Sequence, residues 1–61
     1  MSVLLPSVLV VDDEKNMRLS LQTVLKDEDY ATRMVESAEE ALQVLAHEEF
    51  FMVITDARLA A

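Results

Sequence analysis

Sixty-one residues carry twelve acidic against five basic side chains, a formal net charge of −7, one proline and neither cysteine nor glycine, the make-up of one small acidic domain or a piece of one. Surface scaling lets only about 60% of such a chain's surface be buried, and with no disulfide or thiolate-bound metal to reinforce the core, self-association or a further stretch of chain is the usual remedy. The acidic balance excludes a phosphate backbone or an anionic membrane as direct partner, and with no apolar run near the roughly 18 residues of a span and no basic signal-peptide start, a cytoplasmic protein that contacts neither nucleic acid nor membrane is expected.

Residues 7–11, Ser-Val-Leu-Val-Val, form an apolar run between Pro6 and the pair Asp12-Asp13, the pattern of a strand covered on both faces. Residues 14–27 follow helical spacing. Met17, Leu21, Val24 and Leu25 recur at i, i+4, i+7 and i+8 and are expected to be the buried stripe, with Lys15, Arg18, Gln22 and Lys26 outside it. Lys26 suits the partial negative charge of the last turn. Residues 30–35 predict a second strand, less apolar and therefore at a sheet edge.

Ser37-Ala38-Glu39-Glu40 has capping-box spacing and opens a second helix. Its apolar stripe is expected to be Ala38, Ala41, Leu42 and Leu45, fraying near His47-Glu48-Glu49. His47 has no partner in the sequence and reads as a helix-end residue. Residues 50–55 predict a third strand that ends in Asp56.

The order β-α-β-α-β with short connections implies an α/β fold, a truncated doubly wound parallel sheet with right-handed crossovers. A strand order of 2-1-3 places the apolar first strand in the interior and the helices on opposite faces. Asp12, Asp13 and Asp56 then meet at the carboxyl ends of adjacent strands, beside the point where the strand order reverses and where open α/β sheets build their sites. Converging carboxylates repel one another and require a hard divalent cation or an extra proton. Mg²⁺ is the natural candidate, since it takes oxygen ligands and is commonly held by one or two carboxylates together with phosphate oxygens. A carboxylate in such a site can also attack a phosphoryl group, giving an aspartyl phosphate.

With these residues in place, the chain resembles the receiver domain of bacterial two-component response regulators. Val8-Leu9-Val10-Val11-Asp12-Asp13-Glu14 is similar to the family's first strand and acidic pair, Ser37-Ala38-Glu39-Glu40-Ala41-Leu42 to its second helix start, and Val53-Ile54-Thr55-Asp56-Ala57-Arg58-Leu59 to its third strand with the phosphoacceptor. Within the family, the sequence resembles receivers of the enhancer-binding transcription activators. The resemblance implies Asp56 as phosphoacceptor and metal ligand, Asp13 as a direct ligand of Mg²⁺, Asp12 as a ligand through water, and Arg58 as a ligand through its backbone carbonyl. It implies a histidine kinase as the partner of the parent protein. It also implies that residues 1–61 correspond to the first three strands and first two helices of a receiver, without the family's strand-four hydroxyl and strand-five lysine. The segment alone is therefore expected to be incompetent for signalling. Leu59-Ala60-Ala61 differs from the family's usual Met-Pro and glycine turn, and Asp29 stands about where the family has a glycine.

A signalling module, not an enzyme, is the leading expectation. One alternative is a phosphohydrolase of the haloacid-dehalogenase type, which has Asp-x-Asp after its strand where this chain has Asp12-Asp13. Another is a structural half-domain that assembles with itself. The third strand, apolar and free of lysine and proline, is expected to be an unprotected edge through which two copies pair antiparallel, as a homodimer or a larger even-numbered assembly.

Overall fold

Four consecutive apolar side chains, Val8, Leu9, Val10 and Val11, can leave water together only if their strand is covered on both faces and paired on both edges. The computed structural model, which describes residues 5–55, is arranged in that way. Its elements are β1 (Ser7–Val11), α1 (Lys15–Asp27), β2 (Ala31–Val35), α2 (Ala38–Leu45) and β3 (Met52–Thr55), in a parallel sheet of order β2-β1-β3. β1 pairs with β2 from Ser7 opposite Ala31 to Val11 opposite Val35, and with β3 from Val8 opposite Met52 to Val11 opposite Thr55. Val8, Leu9 and Val10 are fully buried, and each side chain of this kind contributes about 1.5–3 kcal/mol when it is taken wholly out of water.

Strand alternation divides these residues between the faces. Leu9 and Val11 join Val35 and Ala41 in one core cluster, against which Val44 and Phe50 pack, so α2 covers that face. Val8 and Val10 point to the opposite face, which belongs to α1. The strand order, the central position of β1 and the edge position of β2 agree with the sequence reading.

Both helices are rotated from their expected stripes. On α1, Leu21 and Leu25 are half-buried as expected, but Met17 is 43% and Val24 58% exposed, and Arg18 turns inward instead. At about 100° per residue, Arg18, Leu21 and Leu25 form one narrow face and Met17 and Val24 lie on its flank. α1 lies mainly over β2, and this displacement brings Arg18 over the sheet. On α2, Ala41 and Val44 face the core while Ala38, Leu42 and Leu45 are exposed. The small Ala41 permits close approach to Leu9 and Val11, and a helix held there cannot also turn Leu42 inward.

The strand starts also shift. β3 begins at Met52 because Phe50 folds back against the α2 side of the core. β2 begins at Ala31 because Tyr30 closes the end of α1. There the Tyr30 amide donates to the Leu25 carbonyl at 2.9 Å and the Asp29 amide to that of Lys26 at 3.1 Å, the paired bonds of a Schellman motif. The motif needs a left-handed residue at its centre, and Asp29 has φ 64°. At the start of α2, the Ser37 hydroxyl accepts the Glu40 amide at 3.2 Å, the cap that the sequence predicts.

Two outcomes follow for stability, each read from the urea midpoint at unchanged slope. Asp29→Gly removes a side chain that disfavours the left-handed region and is expected to stabilise the fold by about 0.5–1 kcal/mol. Ser37→Ala removes the cap and is expected to cost about 1 kcal/mol.

Candidate functional site

The ladder between β1 and β2 runs one bond past Val11: the Asp12 amide donates to the Val35 carbonyl at 3.1 Å. Asp12 therefore stays on the sheet and is only 4% exposed. A carboxylate in such a place needs hydrogen-bond donors. One is supplied locally, as Asp12 Oδ1 accepts the Glu14 amide at 2.8 Å and turns the chain towards α1. Glu14 is the N-cap residue of α1 but forms no side-chain cap of its own, so the Asp12 carboxylate steadies this helix start. Asp13, the next residue, is exposed.

Arg18 completes the arrangement. Its Nη1 donates to the Asp12 backbone carbonyl at 2.7 Å, and its Nη2 lies 3.4 Å from Glu36 Oε1, just beyond the end of β2. With 14% of its side chain exposed, it is the best-buried cation among the described residues; Lys15, Lys26 and Arg33 are exposed. All three polar groups of Asp12 are thus engaged: amide to β2, carbonyl to Arg18, and carboxylate to the α1 start. The apolar periodicity places Arg18 outside the buried stripe, and nothing in the local pattern marks Glu36. The signal was the i, i+3, i+7 spacing of Arg18, Leu21 and Leu25, masked by the more apolar Met17 and Val24.

Among the predicted site residues, Asp12 and Asp13 stand at the carboxyl end of the central strand, as expected. Thr55, the last residue of β3, is opposite Val11, so the two strands finish side by side at that end of the sheet. Asp56 and Arg58 lie outside the described residues. Among the described residues, no three acidic or histidine side chains come together as a metal-holding group. The carboxylates of Asp12 and Asp13 are hard oxygen donors of the kind that suits a divalent cation such as Mg²⁺. No helix among the described residues is long and apolar enough to cross a membrane.

The family model of the response regulator receiver domain matches residues 8–61. The chain belongs to the response regulator receiver domain family. No curated protein and no solved structure gives a match. Membership places this receiver domain among the response regulators of two-component systems, whose receivers are phosphoacceptors that act with histidine kinases. The family match extends from the start of the buried strand through Asp12 and Asp13 to Asp56 and Arg58.

The two neighbouring carboxylates should respond differently to substitution in the absence of metal. Asp12→Ala leaves the Glu14 amide without its acceptor and is expected to cost about 1 kcal/mol. Asp13→Asn breaks no side-chain bond and removes a repulsion, so stability should stay within about 0.5 kcal/mol or rise. Urea unfolding of the two variants in chelator-treated buffer measures the contrast.

Proposed function

We propose that the parent protein accepts a phosphoryl group at Asp56 of this receiver segment, with Mg²⁺ held by Asp13 and Asp56, by Asp12 through water, and by the backbone carbonyl of Arg58. The observation that carries the proposal is the family match over residues 8–61, which includes all four residues, together with the register that ends β3 beside β1. In the transfer, a carboxylate oxygen of Asp56 attacks the phosphorus of a phosphohistidine; the bond from phosphorus to the imidazole nitrogen breaks, and the imidazole leaves with that electron pair and takes up a proton. When bound, Mg²⁺ would supply neutralisation of charge on the phosphoryl oxygens. The chain's own part is positional. Asp12, buried and bonded on three sides, holds the acidic pair at the sheet end, while Asp13 presents an exposed carboxylate. Cytoplasmic signalling to a transcriptional output, as in the enhancer-binding activators that the sequence resembles, belongs to the same proposal.

Titration calorimetry is expected to give a Mg²⁺ isotherm with the wild type and none with Asp13→Ala; equal binding by both would remove Asp13 from the site. With an acyl phosphate donor and Mg²⁺, any phosphoryl group that intact mass detects is expected at Asp56 and absent from Asp56→Asn. Label on another residue would contradict the assignment.

A second reading, self-association, is favoured by β3. Among the described residues it is an edge strand, and Phe51, Met52 and Val53 are 66%, 42% and 44% exposed. Paired antiparallel with its copy, it would continue the sheet as 2-1-3-3-1-2 and set these side chains beside their counterparts across the seam. Sedimentation should show a concentration-dependent dimer that Val53→Lys weakens. A monomer at high micromolar concentration would exclude it.

A further inference from the structure

The acidic pair that the proposed function assigns to the metal is held in a way that this assignment leaves unexplained. Asp13 is exposed and has no side-chain bond among the described residues, so its backbone is what limits where its Cβ, and with it the reach of its carboxylate, is placed. That backbone is controlled through the Asp12 carbonyl. A peptide group is planar, so the oxygen of Asp12 and the amide and Cα of Asp13 move as one body. Arg18 Nη1 grips that oxygen at 2.7 Å, and Arg18 is itself steered by Glu36 at 3.4 Å and by the packing of Leu21 and Leu25 on the same helix face. The Asp12 amide, which belongs to the preceding Val11–Asp12 peptide, is bonded to Val35 and anchors the chain just before that plane.

We propose that Arg18 is a positioning residue for the cation site: by holding the Asp12–Asp13 peptide plane against β2, its guanidinium aims the Asp13 carboxylate. The inference rests on the metal-site reading above. It makes a prediction whose sign separates it from simple electrostatics. A guanidinium beside the site repels a divalent cation, so charge alone predicts tighter metal binding when Arg18 is removed. Positioning predicts weaker binding, by the roughly 10-fold to 100-fold typical of a lost supporting contact behind a metal ligand.

The test is Mn²⁺ affinity, read from the electron paramagnetic resonance signal of free Mn²⁺, for the wild type, Arg18→Ala, Arg18→Gln, Arg18→Lys and Asp13→Ala, each checked as folded by circular dichroism. Arg18→Gln keeps much of the stem and provides the comparison should Arg18→Ala not fold. Both are expected to raise the dissociation constant about 10-fold or more. Arg18→Lys, which keeps the charge on a single donor nitrogen but not the fork that reaches Asp12 and Glu36 together, should fall between them and the wild type. Unchanged or tighter binding in a folded Arg18→Ala or Arg18→Gln, with Asp13→Ala still losing the metal, overturns the positioning role and leaves the metal site standing. Absence of saturable Mn²⁺ binding by the wild type overturns the metal-site reading and the positioning role with it.

Discussion

Burial of β1 is the constraint on which the other features rest. Val8, Leu9 and Val10 have no exposed surface, which is possible because the strand is hydrogen-bonded along both edges and covered on both faces. Only a centre position in the sheet meets that condition. Once β1 is central, β2 and β3 must flank it, right-handed crossovers send α1 and α2 to opposite faces, and the residues after Val11 emerge at the carboxyl end of the sheet. The acidic pair thus owes its place to the most apolar segment of the chain.

The same end of the sheet is also where the chain concentrates charge of one sign. Asp12, Asp13, Glu14 and Glu36 gather around a single well-buried cation, Arg18. Its bond to a backbone carbonyl, rather than to either site carboxylate, is informative. A guanidinium paired with Asp12 or Asp13 would occupy carboxylate oxygens of the acidic pair. Bonded to the carbonyl, it holds the loop and leaves the carboxylates facing their other duties: Asp12 Oδ1 towards the Glu14 amide, Asp13 towards solvent.

At the opposite end of the sheet, polar geometry compensates for the absence of glycine. The Schellman bonds from Tyr30 and Asp29 end α1 and start β2 within three residues, at the expense of a left-handed aspartate. Tyr30 then stacks with Phe51, ring centroids 6.1 Å apart, so the residues that immediately precede β2 and β3 meet across the start of β1. This aromatic pair closes the end of the sheet that carries no site. Phe51 nevertheless remains 66% exposed, and with Met52 and Val53 it leaves three consecutive apolar side chains exposed on the β3 side.

Element types and order were legible in the sequence because they depend on local pattern: a continuous apolar run for β1, helical spacing from Glu14, and a serine cap at Ser37. The family's acidic pair was legible as well, since Asp12-Asp13 directly follows that run. Helix rotation was not, because an apolar stripe states which residues can be buried and not which of them the sheet can reach. Met17, Val24, Leu42 and Leu45 all satisfy the periodicity, yet each sheet face covers one narrow strip of helix, centred on Leu21 and Leu25 in α1 and on Ala41 and Val44 in α2. Arg18 is the counterpart: its charge marks it for solvent in any local reading, and only the packing of α1 over β2 brings it within hydrogen-bond reach of Asp12 and Glu36. The sequence by itself determined the strands, the helices and the acidic pair; the tertiary structure decided which helix faces were buried and how Asp12 is held, because both depend on distances between segments far apart in the chain.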